Sequence, residues 1–451
     1  MSPSSRTVGG VIISGMNKVL SVTGGRPLRG AVRVAGAKNA ATKMMIASLL
    51  TDEPVVLKNC PRIGDVEITA ELIAQLGCSA TRDAANPDWL TLHAPEIAQA
   101  RVAGQTRKNR LSVLAISPLL HRVGRAEMPF VGGDDIGARP VNFHLEALER
   151  MGAVVEHTAD GYRATAPHGL HGATIALPYP SVGATENIIF AAVLARGRTL
   201  IQNAAIEPEL LDIVKLLQRM GAIIEYGANR TITIDGVEKL RGTTHRILPD
   251  RLEAASWACA ALATDGEIMV EGARQDELMT FLNTIRRVGG DFTVNSRGIS
   301  FRRAGGGLRG IELETDTYPG FSTDWQQPMV VVLTQADGLS VVHETVFEDR
   351  FGYTEDLRRM GADVGVFSKC LGELPCRFRR QAEPHSAIVR GAAALSATDI
   401  AMPDIRAGMA QLIAAMTATG TSRLTNVEHL DRGYEDLWAK LEAVGAQFKL
   451  A

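Results

Sequence analysis

The sequence predicts an α/β protein made of two similar lobes, each assembled from three copies of one unit. Three observations point there. A helix-patterned stretch that ends in an apolar residue, a glycine and a short strand recurs six times along the 451 residues. A second set of small-residue, strongly apolar helical stretches alternates with the first. The closing glycines, Gly77, Gly152, Gly221, Gly289, Gly361 and Gly445, fall 68 to 84 residues apart by subtraction. Solenoids usually repeat at about half that length, so six larger units grouped as two threes fit better.

The amphipathic copies occupy residues 72–77, 145–152, 213–221, 281–289, 357–361 and 437–445. Apolar residues at i, i+3 and i+4 mark each as a helix with one buried face, and glycine suits the left-handed position that closes a helix. The alternating set covers residues 40–50, 112–120, 186–194, 252–262, 329–333 and 409–416. Helices apolar nearly all round are buried, so each unit offers one inner helix, one outer helix and several strands. The chain is expected to cross between lobes near Pro249-Asp-Arg251. Residues before about Leu20 read as a loose tail. The domains expected are 38–248, and 19–37 together with 249–451, with 1–18 outside both.

Composition narrows the function. Hydrophobic residues make up 45% and charged residues 22%, as in a folded globular chain. Lys+Arg 48 against Asp+Glu 50 leaves a formal charge of −2, which argues against wholesale nucleic-acid binding. No apolar run reaches the ~18 residues of a membrane span; the longest, residues 187–195, is broken by Arg196 and Arg198. Five cysteines without a CxxC point to a reducing, cytosolic setting. The ten histidines are dispersed, and Cys370 and Cys376 have no second pair, so no metal site is expected. The absence of GxSxG, and of a GxGxxG that joins a strand to a helix, argues against a serine hydrolase and a nicotinamide cofactor.

Several loops could carry chemistry. Gly36-Ala-Lys38-Asn39 opens a buried helix, where unpaired N–H groups and a basic side chain together seat an anion; its bland reading is a capping loop. Gly132-Gly133-Asp134-Asp135-Ile136-Gly137-Ala138-Arg139-Pro140 is either a mobile functional loop or a solvated acidic hairpin. Asp324, just before an apolar helix, reads in isolation as an N-cap. Arg107, Arg110, Arg350, Arg406 and Arg432 recur near helix starts or strand ends of different repeats. Converging on a cleft between lobes, such residues would suit a polyanionic substrate and acid–base chemistry.

Taken with Ser181-Val-Gly-Ala184 and Asp431-Arg-Gly-Tyr434, these motifs resemble the enolpyruvyl transferases, in particular the branch that acts on UDP-N-acetylglucosamine, from about Val19 onward. The resemblance implies two inside-out α/β domains of three βαβαββ-type units each, the enolpyruvyl transferase fold. It implies transfer of the enolpyruvyl group of phosphoenolpyruvate to a sugar 3-hydroxyl by addition–elimination, with release of phosphate and no cofactor, early in peptidoglycan precursor synthesis. Lys38, Arg139 and Arg432 would then hold phosphoenolpyruvate, assisted by Arg350 and Arg406. Asn39 and Asp324 would address the sugar, Asp324 as base for its hydroxyl. Arg110, Arg139, Asn142, His144, Ser181, Val182 and Gly183 would contact the nucleotide portion.

Two positions depart from the family pattern. Asp134 stands where most members carry a cysteine that acts as general acid. It is expected to donate the proton to C3, with its pKa raised by loop closure and by Asp135. The glycine loop would act as a lid. Fosfomycin, which alkylates the usual thiolate, should then fail. Asn142 replaces a usual Asp, which leaves a second acceptor open, the 3′-hydroxyl of uridine monophosphate in nucleoside-antibiotic synthesis. A non-catalytic nucleotide-sugar-binding paralog is the remaining alternative.

Overall fold

The computed structural model describes residues 18–102, 110–130 and 141–451, so all of the expected N-terminal tail except Lys18 lies outside the described residues. The inner helices are Lys38–Ala47, Ile116–Val123, Val182–Ala192, Arg251–Ala263, Thr323–Thr334 and Ile405–Thr417. Short 3₁₀ turns extend the first at its end (Ser48–Leu50) and the second at its start (Leu111–Ala115). Burial goes all round, as their composition requires: every residue of Arg251–Ala263 is buried. Three inner helices, those starting at Val182, Thr323 and Ile405, begin at least four residues earlier than their apolar runs suggest, because their caps Ser181, Ser322 and Asp404 lie upstream. Ser322 Oγ accepts from the amide of Asp324 at 3.3 Å, and Asp404 accepts from Arg406 N at 2.7 Å and Ala407 N at 2.9 Å. Asp324 is therefore a first-turn residue and Ser322 is the cap.

The outer helices are Gly64–Gln75, Asn142–Arg150, Pro208–Arg219, Met279–Arg287, Thr354–Arg359 and Leu437–Ala443. Each is followed by its predicted glycine, with φ between 78° and 105° in all six. Any other residue there would carry the left-handed strain that glycine avoids.

Strands group into six sheets among the described residues, five of four strands and one of three. Each four-stranded sheet repeats one pattern: a parallel outer pair, then two antiparallel pairings. Thr174–Ala176, for instance, runs parallel to Arg198–Gln202, which pairs antiparallel with Thr231–Asp235, and that strand in turn with Ile223–Gly227. The three-stranded sheet keeps the pattern through a lone parallel bridge from Arg101 to Glu127.

The apolar residues separate into two cores. One runs from Ala37 to Leu248; the other joins Leu20–Val34 to residues 252–444. At the crossings the lobes exchange leading strands. Arg29–Arg33, ahead of the Lys38 helix, pairs parallel with Glu267–Glu271, whereas Thr243–Arg246, ahead of the Arg251 helix, pairs parallel with Val55–Lys58. The two crossing segments also bond each other: Ala37 N donates to Leu248 O at 2.8 Å and Asp250 N to Ala35 O at 2.8 Å. Gly36 lies between them, where a Cβ would sit 1.8 Å from the carbonyl oxygen of Asn59.

Asp250 ties the crossings together. One carboxylate oxygen accepts from Leu252 N at 2.8 Å and Glu253 N at 3.1 Å, capping its own helix. The other accepts from Lys38 N at 3.1 Å, at the start of a helix that has no side-chain cap of its own. A single buried carboxylate thus serves helices of both lobes. Since one cap contributes about 0.5–2 kcal/mol, Asp250→Ala should lower unfolding stability by about 1–3 kcal/mol. Urea titration checks this as a lower midpoint, and Asp250→Asn should retain part of the loss.

Candidate active site

The inner helices all start on one cleft of about 680 Å³ between the lobes. Lys38 and Asn39, Leu111, Val182 and Gly183, Arg251 and Leu252, Thr323 and Asp324, and Ile405 and Arg406 line it, each near the N-terminus of a different inner helix or its leading 3₁₀ turn. Helix N-termini carry partial positive charge and unbonded N–H groups. Six of them converging make an anion site even before side chains are counted.

Charged side chains then form two tight sets. Asp65, in the first turn of the Gly64–Gln75 helix, places Oδ2 2.8 Å from Lys38 Nζ and Oδ1 3.0 Å from Arg432 Nε. Lys38 and Asp65 belong to one lobe and Arg432 to the other, so this contact clamps the cleft. Burial alone would raise the Asp65 carboxyl, but Lys38 and Arg432 outweigh it and hold it below its ordinary value. In the second set, Asp324 lies 2.6 Å from Arg350 Nη2 and 3.4 Å from Arg406 Nε. Burial again opposes ionisation there, and the two arginines, with Lys38 further off, overcome it and keep Asp324 well below the usual carboxylate range. Arg350 also donates to Thr323 Oγ1, whose own hydroxyl donates to buried Glu344 at 2.9 Å. Arg406 Nη1 donates to Tyr434 Oη at 3.3 Å.

The structure thus gathers Lys38, Asn39, Arg110, His144, Ser181, Val182, Gly183, Asp324, Arg350, Arg406 and Arg432 around one cleft. His144 is buried against Gly183, and burial, followed by the charge of Arg110, lowers its pKa to about 3, so the ring is neutral beside a helix N-terminus. Asn142 stands apart: it is exposed and donates to Glu146 Oε1 at 3.3 Å, one turn along its own helix, while Phe143 and His144 face the cleft instead. Asp134, Arg139 and Arg107 lie outside the described residues.

Sequence reasoning missed Asp65, because an acid in the first turn of a helix is ordinary helix-dipole compensation. It also missed an acidic floor. Arg251 makes a buried bidentate pair with Glu209, at 2.9 and 3.2 Å, across the lobe boundary. Lys43, Glu186 and Glu207 line the cleft nearby. The Glu-Pro-Glu run at 207–209 was the available signal.

Comparison with known proteins fits this geometry. Residues 22–441 match the family described as EPSP synthase (3-phosphoshikimate 1-carboxyvinyltransferase). The chain belongs to that family. Within it, the chain is 47% identical over 444 residues to UDP-N-acetylglucosamine 1-carboxyvinyltransferase of Protochlamydia amoebophila, covering 96% of this chain and 94% of that protein. The Gluconobacter oxydans protein of the same name is 41% identical over 426 residues, with 94% and 97% covered. Among solved structures, the enolpyruvyl transferase NikO from Streptomyces tendae superposes with a TM-score of 0.84 at 25% identity, covering 96% and 99%. EPSP synthase from Acinetobacter baumannii shares the fold, with a TM-score of 0.70 at 18% identity and 97% and 100% covered. This EPSP synthase family member is accordingly an enzyme, with the two-lobed fold of the enolpyruvyl transferases. Among its described residues no helix is long and apolar enough to cross a membrane.

Glu186 gives the floor a measurable signature. Burial first, then Glu207 and Glu209, push its carboxyl up from 4.5 to about 7 against the pull of Lys43. The folded state therefore binds this proton more tightly than the unfolded chain does. Stability should fall as pH rises between those two values, and Glu186→Gln should remove that part of the fall. Urea midpoints at about pH 5 and about pH 8 should show the variant gaining on the parent at the higher pH.

Proposed function

We propose that the protein transfers the enolpyruvyl group of phosphoenolpyruvate to the 3-hydroxyl of UDP-N-acetylglucosamine, releasing phosphate, in the cytoplasmic synthesis of peptidoglycan precursors. The observation that carries this reading is the clamp at which Lys38 and Asp65 of one lobe meet Arg432 of the other, at the focus of six helix N-termini. A small anion with two charged groups fits that focus. The 47% identity to proteins named for this reaction favours the nucleotide-sugar acceptor over the uridine monophosphate alternative.

Phosphoenolpyruvate would place its phosphate and carboxylate among Lys38, Arg432, Arg350 and Arg406, with Arg139 completing the set. Residues 38–248, and 19–37 with 249–451, are the two bodies that would close on it. The ion pairs explain how Asp324 could serve as a base despite its depressed pKa. Arg350 and Arg406 hold it as an inert carboxylate, and an incoming dianion that engages those arginines weakens their pull on it. Its basicity then rises only when the donor substrate is bound.

Asp324 takes the proton from the sugar 3-hydroxyl as the oxygen attacks C2, while C3 gains a proton from Asp134. The result is a tetrahedral adduct still carrying phosphate. Loss of a C3 proton and of phosphate restores the double bond on the transferred group. Cations and helix dipoles stabilise the charge that shifts in both steps without having to reorganise. Neutral His144, Ser181, Val182, Gly183, Asn39 and Arg110 form the wall that would receive the nucleotide sugar; Asn142 is not part of that wall.

Phosphate release with phosphoenolpyruvate should be seen with UDP-N-acetylglucosamine and not with uridine monophosphate; the reverse preference would refute the acceptor assignment. Asp324→Asn should lower kcat by about 10²–10⁴-fold, as expected for loss of a general base, with a smaller change in KM. Asp134 offers a carboxylate in place of a thiolate, so fosfomycin should cause no time-dependent inactivation and no mass shift in the loop peptide. Asp134→Cys should restore both.

A further inference from the structure

Away from the cleft floor, the fold assembles a group that no linear motif announces. His343 ends the strand Gly338–His343, and Cys370, Cys376 and His385 come from the segment between the strands Asp363–Phe367 and Ser386–Gly391. One ligand atom from each lies within 4.8 Å of all the others. Neither CxxC spacing nor a paired-histidine motif announces them, which is why Cys370 and Cys376 read as incidental in the linear sequence. Strand pairing supplies the missing proximity, since His343 sits directly opposite Ser386 in the antiparallel register.

We propose that His343, Cys370, Cys376 and His385 form a closed tetrahedral site for zinc that staples the 368–385 segment to the sheet beneath it. Both histidines are fully buried, and each is already oriented through one ring nitrogen. His343 Nδ1 bonds Glu314 Oε2 at 3.0 Å, which leaves Nε2 buried without a partner. His385 Nδ1 bonds the Glu383 carbonyl at 2.8 Å, which turns Nε2 toward Cys370 Sγ, 3.4 Å away. A carboxylate or carbonyl on one nitrogen, with the other nitrogen free, is how metal-binding histidines are held.

Two thiols and two imidazoles suit zinc, and four protein ligands make a structural site rather than a catalytic one. With metal–ligand bonds of about 2.0–2.3 Å, the ligand atoms of a loaded tetrahedron lie about 3.3–3.8 Å apart. The S–N separation of 3.4 Å already falls in that range, and the widest pair must draw in by at most about 1.5 Å. Binding would release both thiol protons, giving a Zn²⁺ centre balanced by two thiolates and two neutral imidazoles. Glu314 strengthens the staple, because its carboxylate also accepts from Glu373 N and Leu374 N of the same segment, both at 2.9 Å.

The segment matters to the cleft. It contributes Arg377, Phe378 and Gln381 to the lining, and the Arg377 guanidinium stacks 3.9 Å over the ring of Tyr179 from the other lobe. A metal there would fix one wall of the site without taking part in the reaction.

The test begins with the full chain purified under reductant from zinc-supplemented cells. Elemental analysis should find one zinc per chain, lost in the Cys370→Ser/Cys376→Ser double variant and kept in Cys60→Ser/Cys78→Ser. Should the double variant not fold, cobalt(II) titration of the chelator-treated parent still decides. Thiolate charge-transfer bands with the intense d–d bands of tetrahedral cobalt are expected, together with a raised Tm. Absence of zinc from the parent, an octahedral cobalt spectrum, or a Cys370–Cys376 disulfide in the freshly purified reduced protein would overturn the proposal.

Discussion

The crossing between lobes depends on the single carboxylate of Asp250, which accepts hydrogen bonds from the starts of two helices that belong to different hydrophobic cores. A helix start left uncapped in a buried crossing would strand backbone donors away from water. Satisfying both with one residue fixes the Lys38 and Arg251 helices end to end. Lys38 then points at Asp65, and Arg251 reaches back to Glu209. The geometry of the cleft follows from that junction, because the Thr323 and Ile405 helices pack against the Arg251 helix, and the 3₁₀ turn Leu111–Ala115 packs between the Lys38 and Val182 helices.

Inside-out construction explains the electrostatics. Burying an all-apolar helix at the centre of each unit forces its ends to emerge somewhere, and the shared topology sends every N-terminus to the same side. The positive ends add, and basic side chains add further, so carboxylates are needed to hold the cleft together. Asp65 and Asp324 do this as ionised partners of Lys38, Arg350, Arg406 and Arg432. Glu186, deeper and beside Glu207 and Glu209, holds its proton more tightly than an ordinary carboxyl. Burial raises all three carboxyls; Asp65 and Asp324 end up low because their cations outweigh it, and Glu186 ends up high because Lys43 does not.

Much of the architecture is legible in the linear sequence because it depends on local rules. Amphipathic period, apolar inner helices and closing glycines are written residue by residue, and all six glycines take the conformation their position implies. Lys38, Asp324 and the arginines could be singled out because charged residues at helix starts have a local meaning. Asp65 could not, since a first-turn acid is ordinary until Lys38 and Arg432 are found on its two oxygens. Asn142 is the reverse case: its place in a motif suggests a contact, and in the structure it is exposed and bonds Glu146.

The repeated unit, its inner and outer helices and the chemistry on offer are legible in the chain alone, because periodicity and capping act over a few residues. Tertiary structure decided which of those groups meet. Pairing Lys38 with Asp65 and Arg432, swapping leading strands at the crossing, and drawing His343 to Cys370, Cys376 and His385 all join residues far apart in the chain. Such contacts are set by strand register and by the packing of two cores, and neither is encoded at any single position.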